Sequence, residues 1–332
     1  MKTSNDVTAE IRGLPIFADA AERDLALLAV GLERAVFAAG DTVFRQGAPA
    51  DCALFLAGGE VEILTRLPGG EDVAIARCGP GAMIGEMSLV EDAVRTASVR
   101  CVTPVTAFRM DRRFFRAALA QHSAAAFRIL HQVMQTMARR LNEVNARIVT
   151  HAARGVTRPC REIPLTRRET IPDAAPEFDF RQFLPALPFF KEFRDDETDE
   201  LLRMARPLAL PRDVLLFDEG EVAQAAWIVV RGSLTLSCRR DGCRYPLGLV
   251  GPGAACGADE LIDSQPRGRA GHTTAATTLL ELPAAAFHEL LARRSPMSFR
   301  FQTALCDVQL GSLGRANRRL SHEVTQIAMR NG

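Results

Sequence analysis

The chain repeats itself once, and that repetition limits its fold more than any other feature. Leu14-Pro15-Ile16-Phe17 returns as Leu187-Pro188-Phe189-Phe190, Phe44-Arg45-Gln46-Gly47 as Phe217-Asp218-Glu219-Gly220, and Gly58-Gly59-Glu60-Val61 as Arg231-Gly232-Ser233-Leu234, all at an offset of 173. Further on, Gly79-Pro80-Gly81 matches Gly251-Pro252-Gly253, and Ile84-Gly85 matches Cys256-Gly257, at an offset of 172. One deletion between the blocks accounts for the change. The period is far too long for a solenoid, so the pattern is a duplicated domain.

Within each copy a short helical stretch comes first, Glu22–Leu32 and then Glu197–Ala205. Short apolar or alternating runs separated by turn residues follow: Val61, Ile63 and Leu67 before Leu67-Pro68-Gly69-Gly70, then Val99 and Cys101, then Phe108 and Met110. Many short strands at this spacing predict an antiparallel sandwich or barrel. Each copy ends in a long helix, 124–150 behind the N-cap Ser123, and 296–329 behind Ser295 with Pro296 in the first turn. Between the copies, His151–Phe183 carries prolines at 159, 164, 172 and 176 and many arginines, the composition of an extended or partly ordered linker. The domains expected are thus 10–150, a linker 151–183, and 184–332.

Composition narrows the classes. With 47% hydrophobic and 24% charged residues in 332, the chain is an ordinary globular protein of about two domains. Its net charge of +1 gives no global field toward nucleic acid or membrane. The N-terminus lacks a signal-peptide pattern, and no run of about 18 apolar residues would span a bilayer. Eight cysteines lie scattered without a CxxC pair, which fits reduced thiols in a cytosol. Cys238 and Cys243 bracket a hairpin-like Arg-Arg-Asp-Gly turn, where a bridge is conceivable but free thiols are the plainer reading.

One segment of the first copy breaks the strand pattern: Gly85-Glu86-Met87-Ser88-Leu89-Val90-Glu91-Asp92-Ala93-Val94-Arg95-Thr96-Ala97-Ser98-Val99. A glycine allows close backbone approach, and a one-turn helix after it aims N–H groups at an anion. Arg95, ten residues later, supplies a forked and permanently charged donor for phosphate. Glu86 is an acceptor suited to a sugar hydroxyl, and Thr96 and Ser98 are small hydroxyls. The set suits a ribose carrying a singly charged phosphate; an exposed Glu–Arg pair on a loop is the plain alternative.

This segment closely resembles the phosphate-binding cassette of the cyclic-nucleotide-binding domain family, as in catabolite activator proteins, protein-kinase regulatory subunits and nucleotide-gated channels. Gly40-Asp41, Phe44, Gly47, Leu54-Phe55-Leu56 and Gly59-Glu60-Val61 also follow that family's strand-and-turn pattern. The resemblance covers residues 14–150 strongly and 187–330 weakly. It implies a mainly β fold with flanking helices: two tandem eight-stranded jelly-roll barrels, each followed by its long helix. It also implies that Glu86 takes the ribose 2′-hydroxyl, that Arg95 pairs with the cyclic phosphate, and that Gly85, Met87, Ser88, Thr96 and Ala97 complete the cradle. Both cyclic AMP and cyclic GMP are compatible with Thr96, with a slight lean to cyclic AMP.

The second copy departs from that pattern. Gly257 is kept, but Ala258 replaces the carboxylate, and Arg267 is followed by Gly268-Arg269-Ala270-Gly271-His272. Asp259 and Glu260 fall one and two places late. An empty or weak second site at Gly257, Arg267 and Arg269 is expected, the alternative being a different anion on the two arginines.

In the first long helix Phe127, Leu130, Met134, Met137, Leu141, Val144 and Ile148 follow a 3-4 spacing suited to helix pairing. Cys306, Leu310, Leu313, Asn317, Leu320, Val324 and Ile327 do so in the second, with Asn317 as its polar member. Pairing within one chain and across a homodimer axis both fit. No winged helix-turn-helix pattern follows the long helices, so direct DNA binding is not expected. Arg167-Arg168-Glu169-Thr170-Ile171 resembles a basic-directed kinase site, although a solvated linker is the simpler reading. No kinase glycine loop, Walker or HExxH motif occurs, and the six histidines are dispersed; neither an enzyme nor a metal or cofactor is expected. The chain reads as a cytoplasmic receptor that shifts its helices on binding a cyclic mononucleotide and so regulates an effector protein. The alternatives are a ligand-independent scaffold or dimerisation protein, and a receptor for another anion such as a cyclic dinucleotide.

Overall fold

A computed structural model describes residues 4–66, 72–155, 164–176 and 178–331. The chain forms two compact units, Met1–Val133 and Met134–Gly332, which divide within the first long helix.

In the first unit, one four-stranded sheet runs in the order Leu32–Phe37, Val105–Asp111, Cys52–Gly58, Met83–Ile84. A second runs Thr42–Phe44, Ser98–Cys101, Val61–Arg66, Asp72–Cys78. Every pairing in the two sheets is antiparallel, so the expected eight strands form a two-sheet β-sandwich. The strand Cys52–Gly58 reads Cys-Ala-Leu-Phe-Leu-Ala-Gly and is buried along its first five residues, which is why it is apolar throughout. Its Leu54 and Leu56 pack with Val61, Ile84, Val99, Cys101, Val105 and Ala107. The turn Leu67-Pro68-Gly69-Gly70 lies outside the described residues.

The second unit repeats the plan. Arg206–Leu210, Thr277–Pro283, Ala225–Arg231 and Ala255–Cys256 form one sheet; Val214–Phe217, Ala270–Thr273, Leu234–Arg240 and Cys243–Val250 form the other. A fifth strand joins the latter: Thr166–Arg167 of the connecting segment lies parallel to Val214–Phe217. Ile171 packs against the second unit's core, and Ala209 donates its N–H to the Ala174 carbonyl. Residues 164–176 therefore belong to this barrel's edge, a covering that shields strand hydrogen-bonding groups. The kinase-site-like stretch is part of that covering: Arg168–Thr170 is a turn of 3-10 helix, and the Thr170 hydroxyl donates to the Arg167 carbonyl. Residues 156–163 of the expected linker, with Cys160, lie outside the described residues.

The two long helices are Ala124–Gly155 and Pro296–Asn331, and both expected caps are made. The Ser123 Oγ accepts from the Ala126 N–H at 3.4 Å, and the Ser295 Oγ from the Ser298 N–H at 3.2 Å. The first helix buries its expected stripe except Val144, and also Ile129, Val133, Ala138, Asn145 and Val149, a broader face than a coiled-coil seam. In the second helix the buried face runs through Gln302, Leu305, Gln309, Leu313, Ala316 and Leu320, while Asn317 is exposed. Asn317 is therefore not the buried polar residue of that helix; Gln302 and Gln309 are. Val324 and Ile327 lie outside the residues described at side-chain level.

Cys238 and Cys243 do not face each other. Across their hairpin Cys238 is opposite Tyr245, Cys243 is opposite Arg240, and neither sulfur is in a disulfide. Among the described residues no helix is long and apolar enough to cross a membrane, and no cluster of three metal-ligating side chains occurs.

Candidate functional site

The predicted cassette of the first unit is one structure. Met83–Ile84 ends at Gly85, which takes φ +71°; Glu86 then opens the single helical turn Met87–Val90. A side chain at Gly85 would place a Cβ 2.5 Å from the Arg95 Nη1 and 2.9 Å from the Phe44 ring, so both the backbone angle and the space demand glycine. The Ser88 and Leu89 amides bond back to the carbonyls of Gly85 and Glu86.

Arg95 reaches the same place from the other side. Its backbone is pinned by two hydrogen bonds, its N–H to the Ala48 carbonyl at 2.8 Å and the Gly47 N–H to its own carbonyl at 2.9 Å. Its guanidinium lies 3.5 Å from the centroid of the Phe44 ring, a cation–π stack. The Nη2 donates to the Cys52 carbonyl at 2.8 Å, and Nη1 to the Ser88 Oγ at 3.4 Å. Although Arg95 is only 7% exposed, its one ion pair among the described residues is to Asp51, at 4.0 Å, and that carboxylate is 71% exposed. The cation is held rigidly by neutral acceptors and an aromatic face, and is weakly compensated in charge.

Glu86 is also buried, and Met87, Thr96 and Ala97 adjoin Glu86 and Arg95 in sequence, with Thr96 exposed and Ala97 half-buried. Ser88 is buried and used internally: its hydroxyl lies 2.6 Å from both the Cys52 and the Gly85 carbonyl and donates its one proton between them. The structure thus brings Gly85, Ser88 and Arg95 together. Cys52 and Phe44, which complete the arginine's cage, come from distant strands. Burial raises the Cys52 thiol pKa and so favours its protonated form. Burial, and next the Glu86 charge, raise the half-buried Cys78 thiol.

Arg112 ties the cassette to the helix that follows the barrel. Its Nε and Nη2 donate to the Ser88 and Ala50 carbonyls, and Nη1 pairs with Asp92 at 2.7 Å. Arg112 begins the helix Arg112–Ala120, which leads through Ser123 into Ala124–Gly155.

The second unit keeps the skeleton and changes the electrostatics. Gly257 has φ +72°, and a Cβ there would meet the Arg267 Nη1 at 2.7 Å. Arg267 is pinned as Arg95 is: its N–H bonds the Glu221 carbonyl and its own carbonyl accepts from Gly220, both at 2.8 Å. Its Nη2 donates to the Ala225 carbonyl at 2.5 Å, and its guanidinium lies 4.6 Å from the Phe217 ring. The difference is that Arg267 pairs with the Glu260 carboxylate at 3.3 Å, both side chains being at most 1% exposed. Arg269 pairs with Asp259 and, at 3.4 Å, with Glu260. Trp227 stacks on Phe217, ring centroids 5.3 Å apart and planes 9° apart, where the first unit has Leu54 and Phe44.

Comparison with known proteins follows the same lines. Residues 34–122 and 207–294, together more than half of the chain, match the family model described as "Cyclic nucleotide-binding domain". The chain is similar to a CRP-like cAMP-activated global transcriptional regulator of Mycobacterium tuberculosis, 34% identical over 121 residues, 36% of this chain and 52% of that protein. It is similar also to the cyclic AMP receptor protein of Thermus thermophilus, 27% identical over 135 residues, 41% of this chain and 61% of that protein. The chain thus spans about half the length of these curated relatives. Among solved structures, the regulatory domain of Toxoplasma gondii PKA in co-crystal with cAMP aligns at 17% identity over 88% of this chain and 94% of that one, with a TM-score of 0.33. By the family match, the chain is a member of the cyclic nucleotide-binding domain family and carries two copies of its domain in tandem.

Proposed function

We propose that the first unit is a receptor for a cyclic mononucleotide and acts without catalysing a reaction. Arg95 is the observation that carries this reading. A guanidinium this deeply buried, whose ion pair is long and faces solvent, is costly unless an anion completes it. A singly charged phosphate diester supplies that anion, and Glu86 is then the acceptor for the neighbouring ribose hydroxyl. Gly85, Met87, Ser88, Thr96 and Ala97 form the walls. Two curated relatives are described as cAMP-activated or as a cyclic AMP receptor and others as cGMP-dependent protein kinases; the longer matches to the former give a slight preference for cyclic AMP.

Binding alters the position of the helix starting at Ala124, and an effector protein reads that change. The Arg112 strap supports this route, because it joins the Ser88 carbonyl of the cassette to the helix that leads directly into Ala124. The seven described cysteines, none of them in a disulfide, suit a reducing, cytoplasmic setting.

A thermal-shift panel tests the reading. Cyclic AMP at about a hundred times its dissociation constant stabilises the folded first unit by about 2.7 kcal/mol, which raises its melting temperature by several degrees. An unmoved transition with millimolar cyclic AMP and cyclic GMP supports a ligand-independent scaffold instead. A shift with cyclic di-GMP alone indicates a dinucleotide receptor.

A further inference from the structure

The second unit holds a buried ionic cluster that the proposed function does not use. Glu260 occupies the place of Ser88, Arg269 that of Ala97 and Asp259 that of Met87, all at the offset of 172. Two guanidinium groups and two carboxylates, Arg267, Arg269, Asp259 and Glu260, are each no more than 8% exposed and balance one another in charge. Burial lowers the pKa of Arg267 against the opposing Glu260. For Arg269 the charges of Asp259 and Glu260 outweigh burial and raise it.

The cluster is joined to a helix. The Gln309 Nε2 donates to the Asp259 Oδ1 at 2.8 Å and to the Met134 carbonyl at 3.3 Å. One turn away, Asp263, whose side chain is 8% exposed, accepts from Arg139 at 2.9 Å, and the Gln135 Nε2 donates to the Ile262 carbonyl at 3.3 Å. Farther along, the Arg240 Nη1 donates to the Thr150 Oγ1 at 2.8 Å. Residues 259–263, the counterpart of the first unit's cassette, therefore contact Gln135 and Arg139 directly and Met134 through Gln309, while Arg240 holds the helix at Thr150.

We infer that the second copy has exchanged a diffusible anion for its own carboxylates, and that the cassette so closed is the seat of the 134–155 helix. Glu260 supplies to Arg267 the negative charge a phosphate would supply. Asp259, through Gln309, and Asp263, through Arg139, pass that closed arrangement to the helix. The binding partner of the second copy is then a segment of this same chain. The assignment is independent of what the first unit binds.

Hydrogen–deuterium exchange on the full chain tests it. In Q309M, which keeps length and apolar packing, amides of 134–150 exchange about tenfold faster, while those of the barrel strand 225–231 keep their protection. R139A removes a surface arm, 60% exposed, and gives a smaller rise of about threefold over the same helix. Wild-type exchange over 134–150 in both variants overturns the seat, as does an equal rise over 225–231 in R139A.

A second measurement addresses the built-in anion. Calorimetric titration of cyclic AMP into an R95A chain is flat if Glu260 occupies Arg267. A saturable heat that survives R95A and disappears with R267Q overturns the inference, whereas a flat titration of the wild-type chain would overturn only the reading of the first unit.

Discussion

Arg95 and Arg267 have the same backbone anchoring, the same left-handed glycine against the guanidinium and a matching aromatic face, yet their charges are compensated differently. Arg95 has a hydroxyl at residue 88 and a distant, solvent-facing Asp51; Arg267 has a carboxylate at residue 260, 3.3 Å away and fully buried. One exchange, serine for glutamate, decides whether the cradle is short of an anion or already contains one. On the proposed reading, a duplicated fold thereby separates two uses of one buried cation, binding in the first copy and holding the structure closed in the second.

That contrast makes its largest prediction about stability. R267A leaves Glu260 buried with Arg269, at 3.4 Å, as its partner and unbalances the four-charge cluster, so equilibrium unfolding of the second unit shows a loss of about 3–5 kcal/mol. R95A deletes a cation held by neutral acceptors and changes the first unit by no more than about 1 kcal/mol. Equal losses would remove the distinction. Next in size, E86Q weakens cyclic nucleotide binding by roughly 1–1.5 kcal/mol, about fivefold to twelvefold by calorimetry, because a charge-assisted bond to a hydroxyl becomes a neutral one. An unchanged affinity would take the carboxylate out of the site.

The smallest effect concerns pH. His272 lies in the second barrel and its pKa falls below the usual 6.5, first through burial and then through Arg244. The unfolded chain then takes up the proton more readily than the folded one. His272 consequently costs no stability above pH 6.5 and destabilises the unit progressively as pH falls below it. H272Q flattens that acid limb in denaturant titrations between about pH 5 and 7; an unaltered limb assigns it to other groups.

The repeat, the sandwich class and the glycine–arginine pair were legible because they are written in residue type at fixed offsets. What closes the arginine's cage was not: Phe44 and the Cys52 carbonyl come from strands about fifty and forty residues upstream, and only the antiparallel pairing brings them together. Asp259 and Glu260 showed in the sequence as misplaced acids. Their role depends on a one-turn helix aiming them at Arg267 and Arg269, which spacing does not specify. The second long helix shows how a heptad reading drifts. A helix on a barrel presents a broad face with a period of 3.6, so Gln309 turned inward and Asn317 outward. The connecting segment appeared extended from its prolines, while its alternating edge contacts, Thr166–Arg167 and Ile171, carried too few residues to show as a strand.

Isothermal titration of cyclic AMP into the intact chain tests the central claim most directly. One nucleotide bound per chain, with a loss of at least about a hundredfold in affinity in R95A, is the result this account predicts. No binding to the wild-type chain, two equal sites, or an R95A chain that binds as tightly as the wild type would contradict it.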